Sequence, residues 1–583
     1  MKFGNKNSLF LGFLITFSLL LLQIILFPIC FASSLITEPV SSFMAEGSGY
    51  SFVGEEIFNL AGFHAYSIGD FNNDGFDDFV IGASHYNGSW MHGYGKIYLF
   101  WGRPTEEWAS HPLSETSVSF IGESDSENLG RWCASLGDVN GDGFDDFAAS
   151  AVRHGNWSGK TYIFFGKSEI SWDPETLVSE AANASFIGEN IDDWSGHGVY
   201  GLGDVNNDDY NDLLISGEWN DEGGLDTGQV YLILGRPTDQ WTKNTHLPQG
   251  ANASFIGNST FLGLGGDAAG IGDVNDDGYN DFAVFAQKNN DLAINLTDYR
   301  IRDELPPTLP SRQVFLIFGR PTNHWQMSQS ISDANASMLY ERWWGPSNDF
   351  ISGANDVNGD GIDDFLVGSY MDDTGATDAG RTYLYFGRPT EQWTLYPQAD
   401  VSFVSSNPNQ WSGFSVAGVN DVNNDGYADI LIGAPENFLV YDNDGSAYLF
   451  YGRPTEKWQL TLQLSQANIS FTRESHGDAF GTHVAGVGDV NNDGFHDFVM
   501  NAAAYEDWKG KTYLILGRSD FTITSTDTIT TTPTTSISDS IPDTNTTSTT
   551  TILATNGTAA DFILMIPVVL VLATIHKRRR KNT

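Results

Sequence analysis

The chain has 583 residues, a formal net charge of −45 and only two cysteines, Cys30 and Cys133. This acidic excess argues against a nucleic-acid-binding protein, because phosphate backbones are bound by Lys and Arg. Two cysteines leave no disulfide framework, while 62 glycines and many strand-forming segments indicate an all-β repeat array.

The N-terminus has the layout of a secretory signal peptide. Lys2 and Lys6 precede an apolar run over residues 9–29, and polar residues follow Ala32. We expect cleavage after Ala32, so that residues 1–32 are removed on export. The apolar run is also long enough to stay as a membrane anchor, and the sequence leaves this alternative open.

A nine-residue pattern, D-x-N-x-D-G-x-x-D, occurs seven times. The first aspartates of successive copies are 68, 66, 69, 83, 65 and 68 residues apart, and the long step comes from extra residues between Gln287 and Ser311. Side-chain oxygens at positions 1, 3, 5 and 9, with a turn-forming Gly at position 6, suit a hard cation. We therefore predict up to seven structural Ca2+ sites with these side-chain ligands: Asp70, Asn72, Asp74, Asp78; Asp138, Asn140, Asp142, Asp146; Asp204, Asn206, Asp208, Asp212; Asp273, Asn275, Asp277, Asp281; Asp356, Asn358, Asp360, Asp364; Asp421, Asn423, Asp425, Asp429; Asp489, Asn491, Asp493, Asp497.

The third copy carries Asp209 in place of the turn Gly. We expect this loop to form as well, because Asp and Asn tolerate a positive φ better than other non-glycine residues. The carboxylates of each loop would repel one another without an ion. We therefore interpret the loops as structural clips, in which the ion stabilises the folded state by binding to it.

An EF-hand starts with a similar pattern but needs a Glu at position 12. Here that position is apolar in every copy: Ile81, Ala149, Ile215, Val284, Val367, Ile432 and Met500. Each loop instead runs into an alternating segment such as Asp78–Ala83, which has strand character. The loops therefore join strands, which excludes the EF-hand interpretation.

Each repeat unit contains four predicted strands, and four-stranded units repeated radially form a β-propeller. A segment of the Ser-Phe-Ile-Gly type precedes every loop, first at Ser51–Gly54, but none follows the last strand, Thr512–Gly517. If this segment is the outer strand of the preceding blade, the N-terminal copy completes blade 7. We predict a closed seven-bladed propeller over residues 45–520.

Five copies of a Gly-Arg-Pro-Thr phrase, each followed by Trp, occur after third strands. They span 102–108, 235–241, 319–325, 387–393 and 452–458. We interpret the phrase as packing between blades, because Trp supplies a large buried area and Pro fixes a turn. A row of exposed Arg and Trp that binds sugar or peptide is the alternative.

The C-terminal part loses the repeat. Residues 521–560 are rich in Thr and Ser with scattered Pro, which predicts a disordered stalk. Residues 561–583 combine a 14-residue apolar run with a basic cluster, which predicts a membrane span or a sorting signal that is cut and replaced by a lipid. We expect an exported cell-surface protein with glycosylation sequons at Asn87, Asn156, Asn183, Asn252, Asn258, Asn295, Asn335, Asn468, Asn545 and Asn556.

The Asp-x-Asn-x-Asp-Gly loops, the following Ile81–Ala83 and the preceding Phe480-Gly481 resemble FG-GAP repeats, which form the propeller of integrin alpha-subunits. The resemblance covers about residues 51–517. It implies that the backbone carbonyl at position 7 also binds Ca2+, namely that of Phe76, Phe144, Tyr210, Tyr279, Ile362, Tyr427 and Phe495. The chain departs from integrin alpha-subunits, because it has a calcium loop in all seven blades and a predicted stalk in place of the leg domains. The resemblance therefore does not imply a heterodimeric receptor.

The predicted function is a calcium-binding adhesion or ligand-recognition module that binds an unknown protein or glycan on the face opposite the calcium loops. Aromatic connectors are expected there, at 89–92, 153–157, 218–219, 340–344 and 506–508. We predict no enzyme, because the chain lacks an H-E-x-x-H or G-x-S-x-G motif and has no room for a separate catalytic domain. The alternatives are a structural surface-coat protein and a hydrolase-associated carbohydrate-binding propeller.

Overall fold

The computed structural model describes residues 36–87, 93–168, 172–260, 262–287, 312–340, 351–436, 444–519 and 521. The predicted signal peptide, the predicted anchor and all but the first residue of the predicted stalk lie outside this part of the chain. Within it, no helix has the length and apolar character needed to cross a bilayer.

Seven antiparallel sheets are arranged in a ring, so the predicted all-β seven-bladed propeller is confirmed. The inner strands contact one another from blade to blade, and that of blade 7 contacts that of blade 1. They are His64–Gly69, Cys133–Gly137, Ser195–Gly203, Leu264–Gly272, Ile351–Asn355, Ser415–Gly418 and Phe480–Gly488.

The next two strands of each blade extend outward from the inner strand. The second strands are Asp78–Ala83, Asp146–Ala151, Asp212–Gly217, Asp281–Gln287, Asp364–Ser369, Ile430–Ala434 and Asp497–Ala502. The third strands are Lys96–Phe100, Lys160–Phe164, Gln229–Ile233, Arg312–Ile317, Arg381–Tyr385, Ser446–Phe450 and Lys511–Ile515. The second strands are buried on both faces, because a neighbouring blade packs against each side.

Outer strands complete the blades, and the last one comes from the N-terminal part of the chain. They are Val118–Ile121, Ala184–Ile187, Ala253–Ile256, Ala336–Tyr340, Val401–Val404, Ile469–Thr472 and, for blade 7, Gly49–Val53. Gly49–Val53 pairs antiparallel with Lys511–Ile515. The predicted closure by an N-terminal strand is therefore confirmed.

Six of the seven described sheets carry a fifth strand that the sequence did not predict. These short strands pair parallel to the outer strand and are His111–Pro112, Thr176–Leu177, Thr245–His246, Gln329–Ser330, Thr461–Gln463 and Ile36–Pro39. The first five lie between the third and outer strands of one blade and pair with the preceding blade. The sixth, Ile36–Pro39, comes from the N-terminus and pairs with Ile469–Thr472 of blade 6.

The hydrophobic core is divided among the spaces between neighbouring blades. Seven clusters of buried side chains each combine residues of two adjacent blades. The cluster between blades 7 and 1 includes Phe52, Phe79, Phe100 and Leu514. Ring closure therefore buries apolar surface in the same way as every other blade contact.

Helical segments are short and lie in the connections. The α-helical segments are Val40–Glu46, His154–Trp157, Val178–Ala181 and Tyr505–Trp508. The 3-10 turns are Thr105–Glu107, Leu113–Glu115, Thr238–Gln240, Thr322–His324, Ile331–Asp333, Thr390–Gln392, Thr455–Lys457 and Leu464–Gln466. Val40–Glu46 packs Phe43 against Phe471 of blade 6 at a ring distance of 5.2 Å, which anchors the N-terminal segment.

Candidate functional site

All seven Asp-x-Asn-x-Asp-Gly loops adopt the same turn between an inner and a second strand. In the first, the carboxylate of Asp70 accepts hydrogen bonds from the backbone N–H groups of Asp74 and Gly75 at 2.9 and 2.8 Å. The N–H of Phe76 then donates to the Asp74 carboxylate. The other six loops repeat these contacts.

Position 6 has a positive φ in every loop, as the turn requires. Gly75 has φ 92°, and Asp209 in the third loop takes the same region with φ 70°. Position 4 is also left-handed throughout, and its residues are Asn73, Gly141, Asn207, Asp276, Gly359, Asn424 and Asn492. The sequence analysis missed this second constraint, although only Gly, Asn and Asp occur there and these residues adopt that region most readily.

The aspartate at position 9 is fully buried and joins its own loop to the end of the third strand. Asp146 accepts from the N–H of Val139 in its own loop at 3.0 Å and from that of Gly166 after the third strand at 2.9 Å. The equivalent bond after the third strand is present in all seven blades. Burial raises the pKa of Asp146 to about 8, and the nearby carboxylates of Asp142 and Asp138 add to the rise.

The residues of each loop fit a calcium ion chemically. Three carboxylates and one amide oxygen share a short turn, which is a donor set that Ca2+ prefers. In three loops the position 3 amide oxygen, that of Asn72, Asn206 and Asn423, is buried and has no hydrogen-bond donor in the described part of the chain. A buried acceptor of this kind needs a partner, and a cation in the loop would supply it.

The carboxylates themselves are not gathered around a common point. Among the described residues, no three His, Cys, Asp or Glu side chains stand in an arrangement that could hold a metal ion. In five loops the amide nitrogen at position 3 donates to a carboxylate of the same loop, as Asn275 does to Asp281 at 2.9 Å. Calcium binding, including the role of the position 7 carbonyls, therefore stays a prediction.

Adjacent loops are joined by hydrogen bonds that the sequence analysis did not foresee. Asp145, at position 8 of the second loop, accepts from the N–H of Asp70 in the first at 3.0 Å. Asp77 accepts in the same way from Asp489 at 2.7 Å, which links blade 7 to blade 1. The signal was present, because position 8 is Asp or Asn in five of the seven copies.

The Gly-Arg-Pro-Thr phrase lies between blades, as predicted. The N–H of Arg103 donates to the carbonyl of Val490 in the preceding blade at 2.8 Å, and each third strand ends in an equivalent contact. Gly102 is required because a Cβ there would lie 2.4 Å from the carbonyl oxygen of Asp77. The Trp residues of the phrase are buried or half-buried, and Trp108 donates to the carbonyl of Arg103.

The Thr of this phrase reaches the neighbouring calcium loop in three blades, and in one of them Thr105 Oγ1 accepts from Asn491 Nδ2 at 3.0 Å. Thr238 Oγ1 donates to Asn140 Oδ1 at 3.1 Å, and Thr390 Oγ1 donates to Asn275 Oδ1 at 3.0 Å. Hydrogen bonds that orient a metal-binding side chain, from residues that do not bind the metal themselves, affect metal affinity. The phrase thus connects the loop chemistry of one blade to the packing of the next.

The face opposite the loops, here called the distal face, is formed by connectors that precede inner strands or follow second strands. Trp157, Trp194 and Trp219 lie there, with ring centroids 4.6 Å apart between the first two and 5.9 Å between the last two. Trp157 and Trp219 belong to predicted aromatic connectors, whereas Trp194 was missed because it stands alone in the sequence. Connector 89–92 and residues 341–344 of connector 340–344 lie outside the described residues.

Two of these tryptophans have unusual backbone conformations. Trp157 has φ 69° and Trp194 has φ 56°. A left-handed conformation costs a bulky residue about 1–2 kcal/mol and concentrates at functional sites. The two residues are also tied together, since the N–H of Trp194 donates to the carbonyl of Trp157 at 2.9 Å.

Together, the seven-bladed ring and its repeated loops define a β-propeller in which FG-GAP repeats are found. The FG-GAP repeat model matches residues 348–385 and 412–450, and the FG-GAP-like repeat model matches residues 70–149. The chain is similar to integrin alpha chains, which confirms the resemblance noted in the sequence.

The relatives include integrin alpha pat-2 of Caenorhabditis briggsae, 27% identical over 40% of this chain and 18% of the relative. Integrin alpha-V of Gallus gallus is 27% identical over 44% of this chain and 21% of the relative. Phosphatidylinositol-glycan-specific phospholipase D of Bos taurus is 26% identical over 67% of this chain and 45% of the relative. The chain thus spans less than half the length of each of these relatives.

Proposed function

We propose that this chain is a cell-surface recognition module, an integrin-alpha-like propeller that binds its ligand on the distal face. The observation that carries the proposal is the half-buried aromatic cluster of Trp157, Trp194 and Trp219. Aromatic side chains on loops of a rigid scaffold are typical of recognition sites. The loop side of the ring is less suited to binding a ligand, because its backbone N–H and C=O groups already form hydrogen bonds between blades.

In this proposal the Asp-x-Asn-x-Asp-Gly loops bind calcium and brace the ring. The oxygen donors at positions 1, 3, 5, 7 and 9 would hold the ion, which would neutralise the three carboxylates that share each short turn. The hydrogen bonds between adjacent loops would then transmit that support around the ring. Calcium is therefore proposed as a structural ion and not as a part of the ligand site.

The proposed location is the outer surface of the cell. An N-terminal signal peptide would export the chain, and the C-terminal segment would hold it at the membrane behind the Thr- and Ser-rich stalk. The names of the integrin alpha relatives support an adhesion-type role with a protein or glycan ligand. A catalytic role is not proposed. The first alternative to the recognition module is a structural surface coat, and the second is a carbohydrate-binding propeller associated with a hydrolase.

A binding comparison tests the proposal. The purified full chain, immobilised with calcium present, is exposed to glycan and surface-protein panels beside a Trp194→Ala variant, with melting curves to verify folding. Selective binding that the variant loses is the expected result. Binding that is unselective, or absent for both proteins, would show that the chain is a structural coat.

A second pair of variants tests which face of the propeller binds the ligand. Trp219→Ala changes the distal face, while Trp241→Ala changes a buried Trp of the Gly-Arg-Pro-Thr phrase between blades 2 and 3. We expect the first change to reduce binding at unchanged stability and the second to reduce stability. Equal loss of binding from both, at matched folding, would contradict a distal site.

A further inference from the structure

The aromatic cluster of the distal face continues toward the central axis as a row of rings. The ring of Trp194 lies 6.0 Å from that of His197, and the ring of His197 lies 5.9 Å from that of Trp132, which directly precedes the neighbouring inner strand. Trp132 is 2% exposed, and its Nε1 has no hydrogen-bond acceptor among the described residues. The row therefore contains a buried donor that has no protein partner among the described residues, and it continues to His64, whose ring lies 4.7 Å from that of Trp132.

Two arginines border this row. The Cζ atom of Arg153 stands 4.2 Å from the centre of the Trp157 ring, and Arg131 precedes Trp132 in the chain. In the described part of the protein, Nε of Arg131 and Nη1 of Arg153 are buried without an acceptor. Buried donors without partners are costly, so the unsatisfied donors of these two arginines indicate a site for an acceptor-rich group.

The charge around these donors favours an anion. Burial, together with the nearby charge of Arg131, lowers the pKa of Arg153 to about 10. Burial also lowers the pKa of Arg131, and the nearby carboxylate of Glu218 opposes this effect. Glu127, whose backbone carbonyl accepts from the N–H of Arg153, has its carboxylate engaged by His154 at 2.8 Å. A bound anion would relieve the repulsion between the two guanidinium groups.

We propose that this site binds a carboxylate-bearing sugar, with the sugar ring on the stacked indoles and the carboxylate on the two arginines. Stacked Trp rings offer a flat apolar surface that matches the C–H face of a pyranose ring. Guanidinium groups bind carboxylates in a planar, two-pronged geometry. The inference rests on the proposed function and names the ligand class of the same face.

Calorimetric titration of the calcium-loaded full chain tests the charge requirement. The probes are tri-galacturonate and its methyl ester, which has the same rings but no free carboxylate. We expect the acid to bind and to change tryptophan fluorescence, and the ester to bind at least about tenfold more weakly. Equal binding of the two probes, or binding of neither, would overturn the inference.

Variants test the residues. Arg153→Met should weaken tri-galacturonate binding at least about tenfold, while Arg236→Met, which alters a similar Arg–Trp pair between blades, should leave binding unchanged. Glu218→Gln should strengthen binding, since it removes the carboxylate that competes for Arg131. This gain cannot arise from misfolding. Loss of binding in Glu218→Gln, or equal loss in both arginine variants, would contradict the site.

The glycosylation sequon at Asn156 adjoins Trp157 and calls for one more variant. Asn156→Gln removes any attached glycan, and we expect it to bind tri-galacturonate at least as well as the original chain. Loss of binding in this variant would overturn the proposed contact with the indoles. If the chain binds selectively in the panels above but ignores tri-galacturonate, the acidic-sugar inference fails and the recognition function stands.

Discussion

Asp209 is the one residue at position 6 of the loops that is left-handed without being glycine. Its carboxylate does not disturb the loop, since its N–H donates to Asp204 at 2.8 Å as the equivalent glycines do. An alanine would have to adopt the same φ of 70° without the local hydrogen bonding open to Asp. The residue type at this position therefore matters more than its charge.

We predict that Asp209→Ala lowers the free energy of unfolding by about 1 kcal/mol, while Asp209→Gly changes it by less than about half of that. Urea titration in calcium measures both. The matched control is Asp125→Asn, an exposed acidic residue outside the loops. If alanine and glycine gave the same stability, the left-handed conformation would not be the constraint.

Glu218 is a largely buried carboxylate on the distal face. Burial raises its pKa from 4.5 to about 7, an effect that Arg131 partly opposes. Because the pKa is higher in the folded state, this group favours folding most below pH 4.5, and the contribution is lost as pH rises through 7.

We therefore expect Glu218→Gln to remove part of the pH dependence of stability. Relative to the original chain, the variant should gain roughly 1–3 kcal/mol between pH 5 and pH 8. Urea unfolding at the two pH values measures the difference. A difference that does not change with pH would show that Glu218 ionises at its ordinary pKa.

At the scale of elements, the connection from a third strand to an outer strand is the main link between blades. It carries the Gly-Arg-Pro-Thr phrase and the fifth strand that pairs with the preceding blade. It also explains four glycosylation sequons. Asn183, Asn252, Asn335 and Asn468 accept an N–H bond from the residue after a third strand, so a structural role alone would select Asn there.

The threonine of the phrase provides a matched pair of variants. Thr238 donates a hydrogen bond to the calcium-loop residue Asn140. The equivalent Thr322 faces Asn206, whose Oδ1 has no hydrogen-bond donor among the described residues. Thr238→Val should cost about 1 kcal/mol, and Thr322→Val should cost close to nothing. Denaturant titration distinguishes them, and equal costs would contradict the proposed link.

At the scale of the whole molecule, the ring is closed by one strand from the N-terminal part. Phe52 on that strand is fully buried and packs against Phe100 at a ring distance of 4.5 Å. We predict that Phe52→Ala lowers the free energy of unfolding by about 3–5 kcal/mol. Leu460→Ala, at a side chain that is 81% exposed, is the control and should have little effect. A small loss at Phe52 would mean that closure contributes little.

Calcium should act on the ring as a whole. An ion present at 100 times its dissociation constant stabilises the folded state by about 2.7 kcal/mol per site, so up to seven sites would supply roughly 19 kcal/mol. We expect a chelator to lower the melting temperature by tens of degrees or to unfold the chain, as measured by calorimetry. Magnesium in excess is the control for ionic strength. An unchanged melting curve would contradict structural calcium sites.

Much of the fold was predictable because the repeat is visible in the residues. The seven loops fix where inner and second strands meet, and the absent last outer strand indicates closure by Gly49–Val53. The fifth strands were not predictable, because segments as short as Thr176–Leu177 carry no periodicity and exist only through pairing with another blade. The contact of Asp145 to the preceding loop also joins two blades, so the Asp or Asn at position 8 did not reveal its partner.

The sequence by itself determined the repeat, the strand order and the candidate ion ligands, because each depends on residues close together in the chain. Only the tertiary structure decided what the ring places side by side. Trp157 and Trp194 come from separate connections, and their rings lie 4.6 Å apart because blades 2 and 3 pack in a fixed register around the axis. Contacts between blades depend on that packing, which no local pattern encodes.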